Sequence, residues 1–143
     1  MKDCLLCGID PETNPTYIDR SEHWTILINY MQPTLGSTLL VLNRHVDNLF
    51  DLTDDEYLDN LRQVKRLESA LHHAFNPNNV NYLMLANVVT HVHYHVIPRY
   101  ESPPEFADKV WSDENYGHTP ILSSDNKDRV VLDLIIQKLK FHL

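Results

Sequence analysis

The chain has 143 residues, 43% of them hydrophobic, enough for one core and too few for two domains of ordinary size. Charged residues make up 22% of it, and no run of about 18 apolar residues occurs, which excludes a spanning helix and broad disorder. A net charge of −8 opposes binding to long polyanions and to anionic membranes, so nucleic acid and membrane are not expected partners.

Only three glycines are present, Gly8, Gly36 and Gly117, where average usage gives about ten. Neither a GxGxxG turn nor a GxxxxGKS/T loop can be written with them, so a bound phosphate needs another kind of cradle. Histidine, with nine copies, is abundant. The start, MKDCLLCGID, lacks an export-signal core, so the expected location is the cytoplasm. In that reducing setting Cys4 and Cys7 are candidates for metal binding or redox work rather than a structural disulfide.

In chain order, WTILINY (residues 24–30) and TLLVLN (38–43) read as an antiparallel strand pair across a turn containing Pro33 and Gly36. Thr53 before Asp54, Asp55 and Glu56 reads as the N-cap of a helix of roughly 22 residues. Leu58, Leu61, Val64, Leu67, Leu71, Ala74 and Phe75 recur at helical spacing up to the Asn76-Pro77 stop, predicting one face on the core. NYLMLA (81–86) and VVTHVHYHVI (88–97) are further strand candidates. Residues 101–123, with three prolines, read as an ordered but irregular excursion, and 129–143 as a C-terminal helix with Val130, Leu134 and Ile135 apolar. The pattern predicts an α+β domain with an antiparallel sheet of about five strands, spanning 1–143 with its core in 4–100.

The most informative stretch is His91-Val92-His93-Tyr94-His95-Val96-Ile97. On a strand, side chains at i, i+2 and i+4 point the same way, so the three imidazoles are expected on one face. Three in strict alternation suit a metal site or nucleophilic chemistry at phosphorus, since a neutral ring nitrogen carries its lone pair near neutral pH. One ion cannot take all three, because the outer pair would stand about 14 Å apart on a strand. Arg99, just beyond, offers fixed positive charge.

HVHYHVIPR resembles the signature of the histidine-triad family of nucleotide hydrolases and transferases. GSTLLVLNRHV (36–46) is similar to the family's strand leading to an Arg-His pair, and Cys4-x-x-Cys7 to the motif of its zinc-containing members. The resemblance covers roughly residues 4–100. It implies that His93 is the nucleophile, that His95 meets the phosphate or leaving group, and that His91 orients His93 through its backbone carbonyl. It also implies a structural zinc held by Cys4, Cys7, His45 and His91, and a homodimer formed through edge strands and the long helix. The expected activity is hydrolysis of a nucleoside phosphate ester, anhydride or phosphoramidate, diadenosine polyphosphates included, at the α-phosphorus.

The sequence departs from the family pattern at Ser37, where many members have histidine, and at Val88, where several have a phosphate-binding Ser or Thr. The usual glycine loop before the triad is shortened. Ser37, Asn87 and Arg99 are the candidate substrate contacts, and Ile26, Ile28, Leu40 and Leu42 lie where the family builds its base cleft. Trp111 and His118 fall in a segment that in the family reaches the active site or the dimer partner. These departures motivate a second reading, a nucleotide-binding or scaffold domain without efficient turnover.

Overall fold

The structure is a computed structural model describing residues 4–143; the first three residues of the stretch read for an export signal lie outside it. Five strands form one antiparallel sheet: β1 (Tyr17–Arg20), β2 (Trp24–Ile28), β3 (Thr38–Leu42), β4 (Asn79–Leu83) and β5 (His93–Arg99), in the order β1-β2-β3-β5-β4. The long helix α1 (Asp54–Phe75) joins β3 to β4, and α2 (Arg129–His142) ends the chain. β1 was not expected from the sequence; β2 and β3 stop two residues and one residue short of their apolar runs, while β4 begins two residues before its expected start and β5 runs on to Arg99. Residues 84–92, expected to be strand on both sides of Asn87, form an extended loop, with Ala86 at a positive φ of 50°.

Register decides which side chains serve the core. Trp24↔Leu42, Ile26↔Leu40 and Leu40↔Tyr94 stand on one face of the sheet, and Leu27↔Leu39, Leu39↔His95 and Val41↔His93 on the other. The first face packs with Leu67 and Leu71 of α1 and Leu132, Ile135 and Leu139 of α2 in one buried cluster. Ile26, Ile28, Leu40 and Leu42 are therefore core residues beneath the helices, not walls of a cleft on the histidine side. On α2, too, the buried residues are Leu132, Ile135, Ile136 and Leu139, while Val130 and Leu134 are exposed.

Helix α1 begins with the expected capping box: Glu56 N–H donates to Thr53 Oγ1 (3.3 Å) and Thr53 N–H to Glu56 Oε2 (2.8 Å). It ends at Asn76, in the left-handed conformation with φ 50°. Its inner face differs from the expected one. Leu58 and Leu61 are half exposed, whereas Glu56, Asp59 and Gln63 are buried. Asp59 accepts from Ser21 Oγ (2.7 Å), His23 N–H (3.0 Å) and Gln63 Nε2 (2.9 Å), which ties the β1–β2 turn to the helix.

The β2–β3 connection is closed by its own polar groups. Ser37 is fully buried and its hydroxyl donates to the Thr34 carbonyl at 2.8 Å. Gly36 has φ 84°, and a Cβ there would lie 2.9 Å from Phe75 Cδ2, so this turn against the end of α1 requires glycine. The excursion after β5 contains a short hairpin, β6 (Glu105–Phe106) with β7 (Lys109–Val110), which the sequence pattern had not indicated. Trp111 follows it into the core, 2% exposed, its indole N–H donating to the Phe106 carbonyl at 3.1 Å.

Candidate active site and metal centre

His91 stands just before β5, not in it, and its ring is turned to the amino-terminal arm. Its Nε2–H donates to the Leu42 carbonyl at 2.6 Å, which leaves Nδ1 unprotonated and 3.4 Å from both Cys4 Sγ and Cys7 Sγ. His45 Nδ1 is 3.2 Å from Cys7 Sγ. The four donor atoms of Cys4, Cys7, His45 and His91 all lie within 4.8 Å of one another. A tetrahedral zinc with ordinary bond lengths separates S from N by about 3.5 Å, so the cluster has the donor types and spacing that the ion requires.

A carboxylate supports this group from behind. His45 Nε2 lies 3.2 Å from Asp47 Oδ1, and Asp47 also accepts from Thr90 Oγ1 at 2.6 Å. The Thr90 hydrogen bond, followed by the nearby His45, holds Asp47 below the usual carboxylate value. A carboxylate on the far nitrogen fixes the tautomer in which Nδ1 faces a metal. Neither Asp47 nor Thr90 was a candidate from the sequence; the only signal was an acidic residue two places after His45.

The backbone of His91 serves the second constellation. His93 donates from Nδ1 to the His91 carbonyl oxygen at 2.6 Å, so its Nε2 carries the lone pair. His93 and His95 are neighbours along the strand, with ring centroids 5.2 Å apart. Burial first, and the charge of His93 second, push His95 below the ordinary histidine value, and its buried Nδ1 has no hydrogen-bond partner among the described residues. Both rings open into a cleft of about 400 Å³ whose rim includes Asn87 and whose walls include Leu39 and Val89.

The structure thus brings together His91, His93, His95 and Asn87 of the expected site, but not Ser37 or Arg99. Ser37 is spent inside its turn. Arg99 lies at the far end of β5, 3% exposed, with all five N–H donors used. Nε and Nη2 bind the Asp113 carboxylate at 2.7 and 3.1 Å, Nη1 binds Asn81 Oδ1 and the His118 carbonyl, and Nη2 also binds the Asn115 carbonyl. This arginine anchors the excursion and has no donor left for a phosphate. His118 serves it through its backbone, and Trp111 is a core residue. Of the cleft residues missed by sequence reasoning, Leu39 is one position away from the apolar Leu40 that was considered, and its pairing with His95 across β3 and β5 is what puts it on the histidine face.

The description "HIT domain" matches residues 11–102. The chain belongs to the HIT domain family. It is 28% identical over 116 residues to the protein called "Protein hit" of Bacillus subtilis, covering 77% of this chain and 79% of that one. It is 27% identical over 92 residues to a bis(5'-adenosyl)-triphosphatase of Dictyostelium discoideum, covering 61% of this chain and 62% of that one. The fold is also that of a Zn-bound histidine triad family protein of Mycobacterium smegmatis, with a TM-score of 0.68, 18% identity and coverage of 96% and 94%. Within this family the five-stranded antiparallel sheet, long helix and C-terminal helix are the expected frame. Among the described residues no helix is long and apolar enough to cross a membrane.

Proposed function

We propose that this HIT-domain protein hydrolyses a nucleotide derivative at its α-phosphorus, with His93 as the nucleophile. The observation that carries the reading is the hydrogen bond from His93 Nδ1 to the His91 carbonyl, which directs the lone pair of Nε2 to a cleft shared with His95. His93 Nε2 attacks phosphorus, and the bond from phosphorus to the leaving oxygen or nitrogen breaks. The leaving group takes the bonding pair and a proton from the solvent side of the cleft. Water then attacks the phosphoryl-imidazole, releases a proton and a nucleoside monophosphate, and restores neutral His93. His95, neutral near pH 7 because it is buried, donates an N–H to a phosphoryl oxygen. Asn87 adds its amide from the rim.

Cys4, Cys7, His45 and His91 are the residues that would hold zinc, whose contribution is to cross-link the amino-terminal arm to the triad. That role suits a reducing, cytoplasmic compartment in which the thiols stay free. The relative named for diadenosine triphosphate hydrolysis supports a nucleotide substrate. The protein acts as a homodimer paired along β4 and α1.

The test is turnover of an adenosine 5′-phosphoramidate and of a diadenosine polyphosphate, with trapping of a nucleotidyl adduct for mass spectrometry. His93→Ala is expected to lower kcat by about 10³-fold or more and to abolish the adduct. Unchanged product formation in that variant would refute the nucleophile. A second reading, binding without turnover, is favoured by Val88, which is 96% exposed and carries no hydroxyl for the phosphate; tight nucleotide binding with no product from the native protein would select it.

A further inference from the structure

Helix α2 carries apolar side chains on two opposite faces. Leu132, Ile135, Ile136 and Leu139 are buried in the core cluster. Val130, Leu134 and Phe141, 68%, 41% and 84% exposed, recur at steps of four and seven on the side turned away from that cluster. Single exposed apolar residues are ordinary, but three aligned over about 16 Å of one helix make a continuous stripe held in water.

The stripe lies in the most basic part of an acidic protein. Six of the twelve lysines and arginines fall within residues 62–66 of α1 and 129–140 of α2, namely Arg62, Lys65, Arg66, Arg129, Lys138 and Lys140, and Asp133 is the one carboxylate in those two stretches. Asp133 itself is paired with Arg129. The two helices meet at this end of the molecule: Arg66 Nη2 donates to the Leu143 oxygen at 3.4 Å, and the rings of His73 and His142 stack with centroids 5.8 Å apart. Lys138 and Lys140, two residues apart, leave the helix on opposite borders of the stripe. Lys138 Nζ stands 5.5 Å from the centre of the Phe106 ring and Lys140 Nζ 5.7 Å from that of Tyr17, so an aromatic face holds each ammonium group at its border.

We propose that the outer face of α2 is a docking surface for an acidic amphipathic helix of another protein. Apolar residues of that helix, at the same spacing, cover Val130, Leu134 and Phe141, and its flanking carboxylates meet Lys138 and Lys140. A second copy of α2 in that place would set one basic border against another, a like-charge contact. An anionic bilayer feels the charge of the whole molecule, −8, and is repelled by it, whereas a helix about 10 Å across covers the basic strip alone.

The experiment is a selection from a displayed library of helical peptides, about three to four turns long, with the native protein as bait and the combined Lys138→Glu, Lys140→Glu, Phe141→Ala variant as counter-bait. Enriched peptides are expected to carry apolar residues four and seven apart, flanked by Asp and Glu. In fluorescence anisotropy with an enriched peptide, Phe141→Ala is expected to raise Kd about tenfold or more. Reversal of the two lysines is expected to raise it about tenfold, and added salt to weaken native binding. All three positions are exposed, so the thermal melt followed by circular dichroism is expected to stay that of the native protein. Enrichment of Lys- and Arg-rich peptides, or no peptide held better by the native protein than by the counter-bait, would overturn the proposal. Sedimentation in which Phe141→Glu lowers the mass of the native assembly would also overturn it, and would assign the stripe to a second copy. Flotation of the native protein, but not of Phe141→Glu, with vesicles of phosphatidylcholine and phosphatidylglycerol would overturn it in favour of a lipid surface.

Discussion

His91 works in two places at once. Its ring meets the thiols of Cys4 and Cys7, and its carbonyl holds His93, so one residue joins the candidate metal-ligand set to the proposed nucleophile. Alternation along 91, 93 and 95 identified the cluster, but it implied three equal positions on a strand. The strand begins only at His93, because His91 is drawn to the Leu42 carbonyl and the arm. Cys4, Cys7 and His45 could be grouped with His91 only through family resemblance, since 84 residues of chain separate the arm from the triad. Ser37 and Arg99 have the right chemistry for phosphate, and what removes them from the site is partners brought by tertiary structure, Thr34 for one and Asp113 for the other. Asp47 is the reverse case, an acidic side chain whose role exists only after folding. Asp47→Ala is expected to weaken zinc binding about 10- to 100-fold while leaving the circular dichroism spectrum unchanged. Competition against a chromophoric chelator measures this; equal zinc affinity in native and variant protein would remove Asp47 from the metal centre.

At the scale of the element, α1 shows what a sequence pattern can and cannot carry. Its ends were legible to the residue, because a capping box and an Asn-Pro stop are local chemistry. Its inner face was not, because the first two turns bury polar residues that satisfy other backbone. Asp59 caps the β1–β2 turn, and Glu56 accepts from Arg44 Nε and Nη2 at 2.8 and 2.9 Å while capping its own helix. The Arg44 hydrogen bonds outweigh burial and, with those from Thr53, hold the Glu56 carboxyl at about 2, below its ordinary 4.5. A depressed carboxyl stabilises the folded state fully above the unfolded value and loses that contribution as pH falls through the folded one. The stability advantage of the native protein over Glu56→Gln is therefore expected to be constant above about pH 5.5, to shrink below 4.5 and to vanish near 2. Urea unfolding of both proteins across this range is the measurement. A difference that does not change with pH would mean that Glu56 acts through packing and not through its charge.

For the whole molecule, the exposed side of α1 and the free edge of the sheet belong to one surface. Among the described residues β4 pairs with β5 alone, so its outer edge has no strand partner. Tyr82 of β4 donates from its hydroxyl to Glu68 Oε2 at 2.6 Å, which places the Glu68 face of α1 beside that edge. Tyr57, Leu61 and Val64 precede Glu68 on the same face at steps of four, three and four, and Tyr57 and Leu61 are 41% and 52% exposed. Leu58, 53% exposed, widens the stripe. An edge strand bordered by apolar helix surface fits a two-fold partner presenting the same strand and stripe, which joins two sheets and covers both helices. In such a pair the leucines that look like core residues in the sequence would be interface residues, and the mismatch between the periodicity of α1 and its burial in one chain would be resolved. Sedimentation of the native protein at micromolar concentration is expected to give a dimer, and Leu58→Glu with Leu61→Glu a folded monomer. Two charges placed in an apolar, self-complementary contact face their copies across the axis, whereas at half-exposed positions of a monomer they cost little. A native protein that sediments as a monomer, or a charged variant that stays dimeric, would move the interface elsewhere.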